Sequence, residues 1–231
     1  MKPLIIANWK CNPKTRKDAE ELFNKVKNGV KNTQKAEIVI APPFVWLPIL
    51  RGMTLAAQDC AWEECGPYTG EVSPQMLEGF GVKYVIIGHS ERRIHFKETD
   101  EMINKKLKAI LKAGLRPVLC IGEKKGENAK TIVSGQIETD LKDIAEKDLE
   151  KVIIAYEPIW AISTNEGEIC SPEQAKAMLN FIRTKFNHRI IYGGSVDSKI
   201  VNGYLKVGFE GVLVGGASLR PDEFIKLIKN V

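Results

Sequence analysis

The sequence lacks the marks of several large protein classes. Its five cysteines, Cys11, Cys60, Cys65, Cys120 and Cys170, are an odd number with no C-x-x-C pair, which argues against a disulfide framework and against a thiolate zinc site. Only three histidines occur, His89, His95 and His188, and none forms an H-x-x-x-H pair. No metal and no organic cofactor is therefore expected. No apolar run reaches membrane-spanning length and no signal-peptide pattern is present, so the expectation is a cytoplasmic protein with no membrane partner. The net charge of +5 is spread thinly, without a basic block interleaved with aromatics. That excess gives no support to nucleic-acid binding, but it suits attraction of a small anion. Linkers, low-complexity tracts and internal repeats are also missing, which points to a single domain over residues 1–231.

What is present is an ordinary globular composition, 44% hydrophobic and 27% charged, in a chain long enough to bury a large core. Short apolar runs alternate with helix-period segments from end to end. The expected strands are Leu4–Ala7, Ile38–Ala41, Leu55–Gln58, Tyr84–Ile87, Val118–Ile121, Val152–Ala155, Ile190–Tyr192 and Val212–Val214. The first helix carries Ala19, Leu22, Phe23, Val26 and Val30 on one face. The helix after the sixth strand opens with Ser171-Pro172-Glu173-Gln174, a capping box with proline in its first turn. Eight strand–helix units of this kind predict a parallel sheet covered by helices, specifically a (β/α)8 barrel at the lean end of its usual size of about 250 residues. The rival is a doubly wound open sheet. That fold usually has a glycine-rich first turn, whereas here the turn reads Asn8-Trp9-Lys10-Cys11-Asn12.

In such a barrel every residue just past a strand lies at one face. That face gathers Asn8 and Lys10, then His89 in Gly88-His-Ser-Glu-Arg-Arg93, then Glu157, the pair Gly193-Gly194 with Ser195, and the pair Gly215-Gly216. Each has a plain alternative. Glu157 is a loop acid before a proline, Lys10 a surface lysine, His89 a core histidine, and the glycine pairs are tight turns. Taken together, the set fits proton transfer next to a carbonyl on a small phosphorylated substrate. Glu157, at the end of a buried strand, is expected to have its pKa raised by desolvation, as suits a general base. His89 opens a polar turn whose backbone N–H groups favour its neutral form. It would stabilise a developing oxyanion with Lys10 and Asn8. Glycine turns after the seventh and eighth strands offer bare backbone N–H groups to a phosphate.

The chain resembles the triosephosphate isomerase family along essentially its whole length. The resemblance is carried by Asn8-Trp9-Lys10, Thr69-Gly70-Glu71, Gly88–Arg93, Cys120-Ile-Gly-Glu123, Ala155–Ile162, Tyr192–Val196 and Val214–Leu219. It implies interconversion of dihydroxyacetone phosphate and glyceraldehyde 3-phosphate through an enediol(ate), with Glu157 as base, His89 as electrophile, and Asn8 and Lys10 as substrate contacts. It also implies phosphate contacts at Ser163, Ser195, Gly215 and Gly216, and a closing lid over Pro158–Glu168 with Trp160 near its first hinge. The lid departs from the family pattern at Ser163, Asn165 and Glu166-Gly167-Glu168, where glycines and a lysine-threonine-alanine hinge are usual. Finally, the resemblance implies a homodimer in which the Asp59–Ser73 loop enters the partner and Cys11 lies near the interface. Two other readings remain. One is a different phosphate-binding barrel isomerase or aldolase, although a Schiff-base aldolase would need a lysine where Glu157 stands. The other is an inactive barrel used for binding.

Overall fold

The computed structural model describes residues 1–162 and 168–231. Among these residues, eight parallel strands close into a barrel in sequence order, β1 to β8. They are β1 (Leu4–Asn8), β2 (Glu37–Ala41), β3 (Thr54–Ala57), β4 (Val82–Ile87), β5 (Arg116–Ile121), β6 (Ile153–Tyr156), β7 (Ile190–Tyr192) and β8 (Gly211–Val214). Closure is made by β8 on β1, with Leu4 opposite Gly211 and Ala7 opposite Val214. The open-sheet alternative is thereby ruled out.

The helices are α1 (Arg16–Val30), α2 (Pro74–Gly79), α3 (Ser90–His95), α4 (Asp100–Lys112), α5 (Ala129–Asp140), α6 (Glu146–Leu149), α7 (Pro172–Arg183), α8 (Val201–Lys206) and α9 (Pro221–Lys229). The capping box of α7 forms as its sequence predicts: Ser171 accepts from the Gln174 N–H, and the Gln174 side chain accepts from the Ser171 N–H. The second unit departs from the regular plan. After β2 the chain makes only a 3₁₀ turn, Phe44–Trp46, because Pro48 lacks the N–H that a longer α-helix would donate to the Phe44 carbonyl. None of the described helices is long and apolar enough to cross a membrane.

Strand periodicity divides the core in two. Leu4, Ile6, Tyr84, Ile86, Val118, Ile153, Ala155, Ile191 and Leu213 fill the barrel interior. Their neighbours Ile5, Ala7, Val85, Ile87, Ile154 and Tyr156 pack outward under the helices. The two-residue period carries Asn8 and Glu157 onward from the inward rows of β1 and β6. Strict alternation would send His89 outward with Val85 and Ile87. Gly88, at φ 68°, breaks that alternation, and a Cβ there would lie 3.0 Å from the Cys120 carbonyl oxygen.

Candidate active site

Asn8, Lys10, His89, Glu157, Ser195, Gly215 and Gly216 line one cavity of about 400 Å³. These strand-end residues that sequence reasoning grouped are therefore brought together; Ser163, which the resemblance adds, lies outside the described residues.

Lys10 has a positive φ of 53°, which is costly for a residue with a Cβ and persists only where its surroundings impose it. Two contacts impose it here. The Lys10 N–H donates to Asn8 Oδ1 at 3.0 Å, and the Gln58 side chain donates to the Lys10 carbonyl at 2.9 Å. The ammonium lies 2.7 Å from Glu91 Oε1. Glu91 belongs to the Gly88–Arg93 motif, but its pairing with a residue 81 positions away was not visible in the sequence.

Glu157 is buried, with 2% of its surface exposed. Its Oε1 lies 2.9 Å from His89 Nε2, and its Oε2 accepts from the Ser90 N–H at 3.0 Å. These contacts reverse one expectation. Burial does push the Glu157 pKa up, but His89, the Ser90 N–H and Lys10 outweigh it and hold the carboxyl below its ordinary value. Glu157 is a carboxylate held ready by its partners, not an acid made basic by burial.

His89 caps α3. The Glu91 N–H donates to His89 Nδ1 at 3.2 Å, so the proton of the neutral ring sits on Nε2 and is donated to Glu157. Burial pushes the His89 pKa down, and Glu157, aided by Glu91, raises it by more. The ring is thus inclined to charge while Glu157 stays beside it. The neutral imidazole expected from the sequence is therefore not favoured in this arrangement.

The turn expected to hold a phosphate is only partly free. The Ser195 N–H donates to the Ala161 carbonyl at 3.0 Å. The expected backbone contact from Ser195 therefore needs Ala161 to withdraw, which ties phosphate binding to the first hinge. Gly194 has no room for a side chain: a Cβ there would lie 2.2 Å from the Tyr192 hydroxyl oxygen. At the hinge, Trp160 donates its indole N–H to Glu123 Oε1 at 2.8 Å, and the Tyr156 hydroxyl donates to the same carboxylate. Glu168, just past the undescribed 163–167, pairs with Lys125, so its charge is not directed at the cavity. Arg220 also lines the pocket, and sequence reasoning missed it. Among the described residues, no group of His, Cys, Asp or Glu is placed to hold a metal ion.

The fold and the cavity define a class: a (β/α)8 barrel enzyme with a carboxylate–imidazole pair at the ends of its strands and glycine turns suited to a phosphate. The family described as triosephosphate isomerase matches residues 3–231. Curated relatives named triosephosphate isomerase include that of Geotalea uraniireducens, 44% identical over 99% of this chain and 98% of the relative. Others are those of Caldanaerobacter subterraneus, 43% identical over 98% of each, and Clostridium botulinum, 42% identical over 97% and 98%. The chain belongs to the triosephosphate isomerase family.

Proposed function

We propose that this chain interconverts dihydroxyacetone phosphate and D-glyceraldehyde 3-phosphate, with residues 1–231 acting as one barrel domain. Glu157 takes a proton from the carbon beside the carbonyl and returns it to the neighbouring carbon. His89 donates from Nε2 to the oxygen that becomes negative, and Lys10 and Asn8 stabilise the same charge. The phosphate rests on backbone N–H groups at Ser195, Gly215 and Gly216, with Ser163 joining from the lid. The observation that carries the reading is the direct 2.9 Å contact between Glu157 and His89 inside a cavity rimmed by both glycine turns. A ring hydrogen-bonded to a buried carboxylate suits proton transfer and leaves an aldolase or a bare binding module without a use for the pair. The substrate is an anion that does not cross a bilayer unaided, which favours a cytoplasmic setting.

The test is conversion of D-glyceraldehyde 3-phosphate by the purified chain in D2O with a chelator present. Dihydroxyacetone phosphate that carries deuterium at C1, the former aldehyde carbon to which the proton is returned, is the expected product. Product formed with no deuterium at all would rule out an exchangeable base.

A homodimer belongs to the same reading. Among the described residues, Val45, Tyr68, Met76, Phe80, Ile94 and Phe96 are exposed apolar side chains, all on segments that follow β2, β3 and β4. The Asp59–Ser73 loop is a finger closed at its base, where the Ala61 N–H donates to the Val72 carbonyl at 2.8 Å, and its tip around Thr69 is exposed. A finger beside exposed apolar side chains on the segments that follow β2, β3 and β4 suits a partner of the same kind. Activity per chain that falls on dilution, together with a dimer mass in sedimentation, is the expected result. A monomer of full activity would remove the dimer.

A further inference from the structure

Gln136 lies on the buried face of α5, only 9% exposed, and no sequence motif marks it. Its side-chain oxygen accepts from the Gly122 N–H at 2.8 Å, and its amide nitrogen donates to the Gly122 carbonyl at 3.2 Å. One side-chain amide thus satisfies both polar groups of one buried residue. Gly122 is the first residue past β5, where the sheet no longer supplies partners for a peptide.

The other side of Gly122 faces the proposed base. A Cβ at Gly122 would lie 1.9 Å from the Glu157 carbonyl oxygen and 2.6 Å from its carbon. The two main chains therefore touch with no side chain between them. They run side by side on either side of that contact. The Glu157 N–H donates to the Ile121 carbonyl at 2.8 Å, and the Ile159 N–H to the Glu123 carbonyl at 2.9 Å. The Gly122 peptide sits between these two rungs and turns its own groups away, towards Gln136. Close packing of this kind transmits a displacement instead of absorbing it.

We propose that Gln136 is a positioning residue for the base: by clamping the Gly122 peptide, it fixes the surface on which the Glu157 backbone rests. The inference depends on Glu157 being that base. Losing the clamp leaves a buried N–H and C=O unmet, and the peptide relieves them by rotating. Glu157 then drifts from the reacting carbon, and small misplacements of a reacting group are costly in rate. The phosphate contacts proposed at Gly215 and Gly216 lie on the turn after β8, away from the Gly122 contact. The effect therefore falls on kcat and spares binding.

Two variants test this, with rates expressed per folded molecule by circular dichroism. Gln136→Met keeps the shape and removes both hydrogen bonds. The expected result is a kcat lower by about tenfold or more, with KM and the inhibition constant of inorganic phosphate within about twofold of the parent. Gln136→Glu adds a signature that a general loss of stability would not give. A protonated carboxyl offers one donor and one acceptor, as the amide does, whereas the carboxylate offers only acceptors to the Gly122 carbonyl. The ratio of its kcat to that of the parent should therefore rise about threefold or more as pH falls from about 8 to 6. A Gln136→Met rate within twofold of the parent, a KM that moves in step with kcat, or a flat Gln136→Glu ratio would each overturn the proposal. If Gln136→Met does not fold, the Gln136→Glu ratio decides alone. Glu157→Gln is run beside them. Parent-like turnover there refutes the base itself, whatever Gln136 does.

Discussion

His89 Nε2 and Glu157 Oε1 stand 2.9 Å apart, so the proposed electrophile and base hold one another directly. The second carboxylate oxygen is also engaged, by the Ser90 N–H. To reach a substrate carbon, the carboxylate must leave both contacts. Its departure removes the strongest influence raising the His89 pKa.

That relationship has a measurable sign. In Glu157→Gln the carboxylate is gone while burial and Lys10 still disfavour charge on the ring. The His89 pKa, followed by NMR titration of its ring resonances, should drop below the parent value. An unchanged or higher pKa would show that Glu157 does not control the charge of the ring.

Lys10 is the one ammonium among the proposed substrate contacts. Its side chain is partly shielded and paired with Glu91 at 2.7 Å. Lys10→Met keeps most of the stem and deletes the charge. We expect kcat/KM for glyceraldehyde 3-phosphate to fall at least about 100-fold, roughly 2.7 kcal/mol of transition-state stabilisation. A loss of less than about fivefold would make Lys10 a bystander.

Asp140 links pH to stability. Burial, reinforced by Asp100, pushes its pKa up to about 8 against the pull of Arg93. An unfolded aspartate titrates near 3.9. Because the folded pKa is the higher one, the folded state holds a proton the unfolded state has lost. The resulting stability is fully present below about pH 4 and is lost as pH rises through about 8. Arg93 lies 3.0 Å from Asp140 and also donates to the Gly88 carbonyl at 2.7 Å, so this pocket backs the His89 turn. Asp140→Asn mimics the protonated acid. Urea unfolding should show that the variant loses a downward slope of up to about 1.4 kcal/mol per pH unit between pH 5 and 8. Identical slopes in parent and variant would show that Asp140 is ionised when folded.

Ser163 and Asn165, in the segment that the resemblance implies is a lid, lie outside the described residues and stand where the family pattern has glycine. Asn tolerates positive φ at modest cost. We expect Ser163→Gly with Asn165→Gly to change kcat by less than about tenfold, a difference below about 1.4 kcal/mol. A larger rise would show that the native lid limits turnover.

The strands and their shared end were legible in the sequence because burial on both faces writes continuous apolar runs, and the residue after each run is placed by topology alone. Strand bounds moved by a residue or two: β4 begins at Val82, before the apolar run that marked it, and β6 extends to Tyr156. Partners distant in sequence were not legible. The hold of Gln136 on Gly122 and of Glu91 on Lys10 depends on side-chain reach across the closed barrel. The direction of the Glu157 shift was misread for the same reason: the apolar run announces burial, while the three groups that outweigh it come from the turn after β4, the start of α3 and the turn after β1. The Ser195 N–H looked free because its partner, Ala161, lies on another strand's loop.

The central claim is that Glu157 performs the proton transfer in a pocket whose phosphate site is independent of it. The most direct measurement is the steady-state rate of Glu157→Gln with glyceraldehyde 3-phosphate, set against the inhibition constant of inorganic phosphate for the same variant. The account predicts a kcat lower by about 10³ or more, some 4 kcal/mol, with phosphate inhibition within about twofold of the parent. A kcat within about tenfold of the parent would contradict it.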